Sequence, residues 1–180
     1  MVGKNEIVAQ DTKDRAIGDL VSIDVEPENI QLMKKDVTTN IYDDAWIDKN
    51  NNVVLTDTVL KCDITKLLAG SKVDDQGFLI GPDGKKYDLN DADVIAEIGL
   101  GDIELTDDVE AENVADTGTI VDVVYKGDHY QMMVRTDEEE EFIVDTLYSW
   151  NEGDIVGIIV PENAIKLTLK GDIKKYAVSE

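Results

Sequence analysis

The sequence is poor in basic residues and rich in acidic ones. It has 17 Lys and Arg residues against 40 Asp and Glu residues, which gives a formal net charge of −23. A surface this negative repels phosphate backbones and anionic lipid, so nucleic acid and bare membrane are poor partners. The simplest explanation of the acidic excess is solubility. The alternative explanation is attraction of cations or of a basic protein face.

The sequence also lacks the features of secreted and membrane-spanning proteins. Its single cysteine, Cys62, cannot form an internal disulfide, and its surroundings predict a buried thiol at a strand end in a reducing compartment. No apolar run approaches the roughly 20 residues that a membrane-spanning helix needs. Charged residues interrupt the N-terminal stretch, so no signal peptide is predicted there. We therefore expect a cytoplasmic location without direct membrane insertion.

Phosphate-binding, metal-binding and catalytic motifs are missing as well. A P-loop ending at Gly84 would need a glycine where Leu79 stands. The polar turn that begins at Asp48 has Val53 where an EF-hand loop needs glycine. The only histidine, His129, has no second histidine or cysteine cluster with which to form a zinc site or a catalytic pair. We therefore expect no enzymatic activity, no cofactor, and no catalytic or metal-binding residues.

A unit of about fifteen residues occurs three times in the sequence. Residues 18–32 and 153–167 share a Gly-Asp pair, a β-branched run, a Pro-Glu-Asn break and a final Ile-x-Leu, and residues 94–105 form a fainter copy. Alternating β-branched residues predict a strand, and proline ends it because proline cannot donate to a β-ladder. Each copy is therefore predicted to form two short strands joined by a corner.

The agreement between the first and last copies extends upstream, because residues 6–10 match residues 141–145. Ahead of the last copy, residues 118–126 and 129–135 predict a hairpin that turns at Gly127 and Asp128. Nothing ahead of residue 4 corresponds to this hairpin. We therefore expect the chain to begin partway through a module, as a fragment of a longer protein would.

The middle of the chain is also predicted to be rich in strands. Residues 41–47, 53–56 and 58–62 have strand patterns, and residues 78–80 and 86–89 flank a Gly-Pro-Asp-Gly turn. A short helix is predicted at 63–68, capped by Asp63 and closed by Gly70. The sequence therefore predicts an all-β fold, an OB-like small barrel or sandwich built from repeated short strand units, with few short helices.

The last third of the chain resembles a known family. Residues 118–169 are similar to the TOBE domain, the OB-like element that follows the nucleotide-binding domain in the ATPases of ABC importers. Within this group, they are most similar to the TOBE domains of spermidine/putrescine importer ATPases. Five stretches carry the resemblance: 118–121, 125–130, 141–144, 150–157 and 161–163. Within them, the motif residues with an expected structural or regulatory role are Tyr125, Lys126, Gly127, Asp128, His129, Gly153, Asp154, Pro161 and Glu162.

The resemblance implies an organisation in three parts. Residues 1–36 would be a partial TOBE repeat, residues 37–110 a divergent β-rich segment that packs with the C-terminal module, and residues 111–180 the TOBE domain. It also implies a non-catalytic regulatory and dimerisation role in an ABC importer ATPase for polyamine (spermidine/putrescine) uptake. The implied partners are a second ATPase subunit of the same type and membrane permease subunits, at the inner face of the cell membrane.

An alternative function remains open from the sequence, a module that binds a small ligand, either an oxyanion or a polyamine. An oxyanion site needs converging backbone amides or basic side chains. Lys126 and Arg135 are the candidate side chains for it. A polyamine would suit the negative surface instead.

Overall fold

The computed structural model describes residues 37–178. In this part of the chain the regular structure is almost entirely β, with short 3-10 helices at Ile64–Leu67, Leu100–Asp102, Glu162–Ala164 and Ile173–Tyr176. The strands are β1 (Thr39–Ile47), β2 (Asn52–Leu55), β3 (Thr58–Lys61), β4 (Lys72–Val73), β5 (Leu79–Ile80), β6 (Lys86–Tyr87), β7 (Ala92–Gly99), β8 (Glu104–Thr106), β9 (Asp116–Tyr125), β10 (Tyr130–Thr136), β11 (Glu141–Thr146), β12 (Ile155–Ile159) and β13 (Ile165–Leu169).

These strands form two five-stranded antiparallel sheets and one small sheet. The first sheet has the order β13-β7-β1-β2-β3, and the second has the order β11-β10-β9-β12-β8. The small sheet, β4-β5-β6, contains the predicted hairpin, in which Ile80 pairs with Lys86 across the Gly-Pro-Asp-Gly turn. The predicted all-β fold of short, OB-like strand units with few short helices is confirmed.

Two copies of the predicted strand–corner–strand unit lie side by side. In one copy β7 lies in the first sheet and β8 in the second, whereas in the other β12 lies in the second sheet and β13 in the first. Ile98 pairs with Ile165, and Leu105 pairs with Ile158. The seven-residue step from Ile98 to Leu105 equals the step from Ile158 to Ile165, so one antiparallel register continues across both corners. The two copies are thus related by an approximate two-fold axis.

The other side of the barrel is closed by side chains of β1. The buried amide of Asn40 donates to the carbonyl of Ile143 (2.8 Å) and accepts from its backbone N–H (2.9 Å). The Tyr42 hydroxyl donates to the carbonyl of Glu141 (3.0 Å), and its ring lies 5.6 Å from that of Phe142. Asn40 therefore takes the place of a neighbouring strand along the edge of β11, which joins the first sheet to the second.

One hydrophobic core fills the space between the two sheets. Side chains alternate along each strand, as in β7, where Ala92, Val94, Ala96 and Ile98 are buried and Asp93 is exposed. Period-two alternation of this kind places one face of a strand in the core. The second sheet contributes the buried side chains of Ile120, Met132, Val134, Phe142, Val144, Val156 and Ile158.

The predicted short helix forms as a 3-10 turn rather than an α-helix. Asp63 caps it as expected, because its carboxylate accepts from the backbone N–H of Thr65 (3.0 Å). Gly70 follows with a positive φ of 78°, a conformation that glycine adopts without strain. The repeat copy at residues 18–32 and the matching strand at residues 6–10 lie outside the described residues.

We predict that Asn40→Leu lowers the free energy of unfolding by about 2–4 kcal/mol, because it leaves two backbone groups of Ile143 unpaired in a half-buried position. Tyr42→Phe is the matched control. It removes one hydrogen bond to an exposed residue and costs about 1 kcal/mol. Urea denaturation followed by tryptophan fluorescence measures both. Equal losses in the two variants would show that Asn40 does not hold the barrel closed.

Candidate functional site

The family-motif turn lies at the tip of the hairpin formed by β9 and β10. The N–H of Lys126 donates to the carbonyl of His129 (2.9 Å), and Gly127 has a φ of 104°. The Tyr125 hydroxyl donates to the carbonyl of Gly127, and the rings of Tyr125 and Tyr130 lie 5.1 Å apart. Two tyrosines and a glycine thus set the shape of the turn.

His129 lies between two carboxylates beside this turn. Its Nδ1 is 2.6 Å from Asp128 Oδ1, and its Nε2 is 3.7 Å from Asp145 Oδ1. Asp145 also accepts a hydrogen bond from Gln131 Nε2 (3.0 Å). Because Gln131 and Asp145 are a registered pair of β10 and β11, the sheet itself fixes this arrangement.

A cleft of about 390 Å³ opens at this end of the second sheet. Its lining includes the 3-10 corner at Leu100 and Gly101 and the side chains Lys126, His129, Gln131 and Asp145. The sequence singled out Lys126 and His129 but missed Gln131 and Asp145. Gln131 lies on a strand of the predicted hairpin, but Asp145 lies on the following strand, and the pairing of these two strands was not predicted.

The motif residues near β12 have structural roles that the contacts explain. Asp154 accepts from the backbone N–H of Asn151 (2.8 Å), and Gly153 has a φ of 91°. The backbone of Gly153 and Asp154 pairs with Ile120, which extends the contact between β9 and β12. These residues therefore align β12 with its neighbour.

Pro161 and Glu162 lie in the corner between β12 and β13. The carbonyl of Pro161 accepts from the N–H of Ala164 (2.9 Å), and Glu162 is exposed. Lys66 Nζ donates to the carbonyl of Asn163 in the same corner (3.0 Å). The motif residues thus lie in three places, namely the hairpin tip, the turn before β12 and the corner after it.

The two candidate side chains for an oxyanion are not brought together. Lys126 precedes β10, whereas Arg135 lies near its other end. Arg135 donates twice to the carboxylate of Glu141, at 2.6 and 3.2 Å, and this carboxylate raises the pKa of the guanidinium group. An oxyanion site formed jointly by Lys126 and Arg135 is therefore not present in this arrangement.

Cys62 is buried directly after β3, as the sequence predicts. Its Sγ donates to the carbonyl of Asn51 (3.3 Å). Burial raises the pKa of the thiol to about 12, so the nucleophilic thiolate is scarce at neutral pH. Among residues 37–178, no group of three or more His, Cys, Asp or Glu side chains could hold a metal ion.

The polar turn after β1 is organised by Asp48. Its carboxylate accepts from the backbone N–H groups of Asn50 and Asn52 (both 2.8 Å). Burial acts to raise the pKa of Asp48, but hydrogen bonds from Asn52 and Asn50 outweigh it and hold the pKa below its usual value. This carboxylate stabilises a turn, as the sequence predicts.

The aromatic residues before β12 form a small cluster. Trp150 packs against the core, and its Nε1 donates to Asp107 (2.7 Å). The Tyr148 ring meets it edge-on at 6.1 Å and is 73% exposed. Trp150 therefore contributes to the core. No helix in the described part of the chain is long and apolar enough to cross a membrane.

Comparison with known proteins identifies the segment that contains these features. A sequence profile of the TOBE domain matches residues 102–164. Residues 102–164 form a TOBE domain. The matched segment begins at the end of the first corner and ends in the second, so it includes all five strands of the second sheet and all three groups of motif residues.

Two curated relatives extend the match beyond the TOBE domain. The spermidine/putrescine import ATP-binding protein PotA of Bacteroides fragilis (strain YCH46) is 30% identical over 162 residues, which cover 90% of this chain. The protein of the same name from Bacteroides thetaiotaomicron is 28% identical over 167 residues, or 93% of this chain. The resemblance to these importer ATPases is confirmed. The chain spans 30% and 31% of the lengths of these relatives.

One solved structure that the chain matches is that of the cytoplasmic molybdate-binding protein ModG, with molybdate bound. It has a TM-score of 0.41 and 9% sequence identity, and the match covers 77% of this chain and 98% of that one. A likeness at this level supports no inference about a ligand of the TOBE domain.

We predict that Gly118→Ala lowers the free energy of unfolding by about 1–3 kcal/mol, because a Cβ there would lie 2.7 Å from Val134 Cγ1 and 2.9 Å from the carbonyl oxygen of Arg135. Gly101→Ala is the matched control, since a Cβ there meets nothing within 4 Å. Thermal unfolding measures both. If the two variants melt together, the family glycine at 118 has no packing role.

We also predict that Cys62 reacts with iodoacetamide at pH 8 about 1,000-fold more slowly in the native protein than in urea, because burial raises the thiol pKa to about 12. Mass spectrometry over time measures the labelled fraction. Equal rates in the native and unfolded proteins would contradict the buried position of the thiol.

Proposed function

We propose that this chain is the non-catalytic regulatory and dimerisation part of an ABC importer ATPase. The observation that carries the proposal is the TOBE domain at residues 102–164, together with PotA relatives that match about nine-tenths of the chain. The chemistry of the motif residues supports it, because their polar groups shape turns and corners. A rigid barrel with defined turns suits a domain that contacts a second subunit and passes regulatory signals to it.

We further propose spermidine and putrescine as the transported substrates, since both relatives are named for their import. The partners would be a second ATPase subunit of the same type and the membrane permease subunits. In such a complex the domain would lie on the cytoplasmic side of the membrane, held there by the permease subunits. In this assembly the chain would contribute contacts and regulation, and the ATPase domain would perform hydrolysis.

Uptake by cells tests this proposal. In cells that encode the chain, deleting its coding region should abolish the saturable uptake of radiolabelled spermidine and putrescine, because the importer loses its regulatory part. Uptake of a labelled amino acid should stay unchanged, and the full chain or its Gly101→Ala variant should restore polyamine uptake. Normal polyamine uptake after deletion, in cells with no second polyamine importer, would refute the proposal.

A further inference from the structure

A second cleft lies between β3 and β8. Its volume is about 460 Å³, within the range of about 300–1,000 Å³ that is usual for ligand sites. It is lined by β3, by the start of β8, by the loop before β9 and by the corner after β12. Four separate segments of the chain therefore build one groove.

Two strand edges border this groove. β3 is the last strand of the first sheet, and β8 is the last strand of the second, so within residues 37–178 each has one side on which no strand pairs. An open edge presents backbone N–H and C=O groups that can bind an added strand. The groove therefore offers main-chain hydrogen bonds as well as side chains.

The charged side chains of the groove are mostly acidic. Of the described residues that line the groove, three are acidic, namely Glu104 on β8, Glu112 in the loop and Glu162 in the corner, and one is basic, namely Lys61 on β3. Among the described residues, none of these three glutamates makes a side-chain hydrogen bond or ion pair. Three carboxylates from three different segments are thus available to a cationic partner.

The walls of the groove also contain apolar side chains. Val59 on β3 is 47% exposed, and Val114, Val160 and Pro161 line the same groove. Exposed β-branched side chains beside an open strand edge leave apolar surface in water, which favours association with another chain that covers them. An inorganic cation would use the carboxylates but leave this apolar wall in water.

We propose that the groove between β3 and β8 binds an extended segment of a partner protein in which apolar and basic residues alternate. The segment adds a strand along the edge of β8, its apolar side chains cover Val59 and Val160, and its Lys or Arg side chains meet the three glutamates. Charge complementarity with this strongly acidic chain favours such a partner. The inference concerns this groove alone and does not depend on the transported substrate.

A synthetic peptide tests the proposal with the full chain. The probe is the peptide Thr-Lys-Val-Lys-Val-Lys-Thr with an acetylated N-terminus and an amidated C-terminus. Binding is measured by calorimetry at about 150 mM salt, which screens long-range attraction between the basic peptide and the acidic chain. We expect saturable binding at one site per chain. A copy N-methylated at one valine and its neighbouring lysine should not bind, because methylation removes donors from both peptide edges. Hydrogen exchange should slow at the amides of β8 when the parent peptide is bound.

Two matched variants separate the groove from the general negative charge. The groove variant combines Glu104→Gln, Glu112→Gln and Glu162→Gln. It should bind the peptide about tenfold more weakly, because it loses three exposed ion pairs. The control variant combines Asp137→Asn, Glu138→Gln and Glu139→Gln in the loop between β10 and β11. It removes the same amount of negative charge and should leave the affinity for the peptide unchanged. Val59→Thr should weaken binding while keeping all charges.

Several results would overturn the proposal. An equal loss of affinity in the two triple variants would mean that the peptide is attracted to the negative charge of the chain in general. Binding of the N-methylated peptide would exclude strand addition, and full displacement by equimolar spermidine would identify a small-cation site instead. No saturable binding of the parent peptide would also refute it. These outcomes are independent of the uptake experiment, since they use only the purified chain.

Discussion

The register between the two copies of the strand–corner–strand unit is the constraint on which the barrel depends. Ile98 faces Ile165 in the first sheet, and Leu105 faces Ile158 in the second. A slip of one residue would turn every buried side chain of these strands to the opposite face. Because each copy contributes a strand to both sheets, one register fixes both sheets at once. The repetition that is visible in the sequence is therefore the device that joins the two layers.

The remaining contacts complete the closure that this register begins. Gly118 allows β9 to approach β10 closely, and β12 aligns with β9 through the turn at Gly153. On the opposite side, Asn40 satisfies the edge of β11. An edge that is bonded by a buried amide cannot accept another strand. Among the described residues, the edge of β11 is therefore occupied, whereas the edges of other strands, including β3 and β8, are open. A partner can add a strand only at an open edge.

The sequence predicted the local features of this fold because they depend on neighbouring residues. The hairpin at Gly127, the cap at Asp63 and the two strand–corner–strand copies all follow from short-range patterns. The contacts between distant segments could not be predicted in this way. Asn40 and Ile143 are 103 residues apart, and an asparagine within a strand gives no indication of its partner. The groove between β3 and β8 was missed for the same reason, since four segments build it.

The distribution of charge connects the structure with its proposed roles. Several of the described basic side chains pair with nearby carboxylates, as in the pairs of Lys166 with Glu97 (2.8 Å) and Arg135 with Glu141 (2.6 Å). Such exposed pairs contribute little to stability, typically up to about 1 kcal/mol each. They do, however, reduce the number of cations that could neutralise the other acids. With 40 acidic against 17 basic residues, most carboxylates must remain uncompensated within the chain. A folded module with this surplus repels its own kind at long range, so any stable contact with a second subunit requires apolar burial or basic groups from the partner.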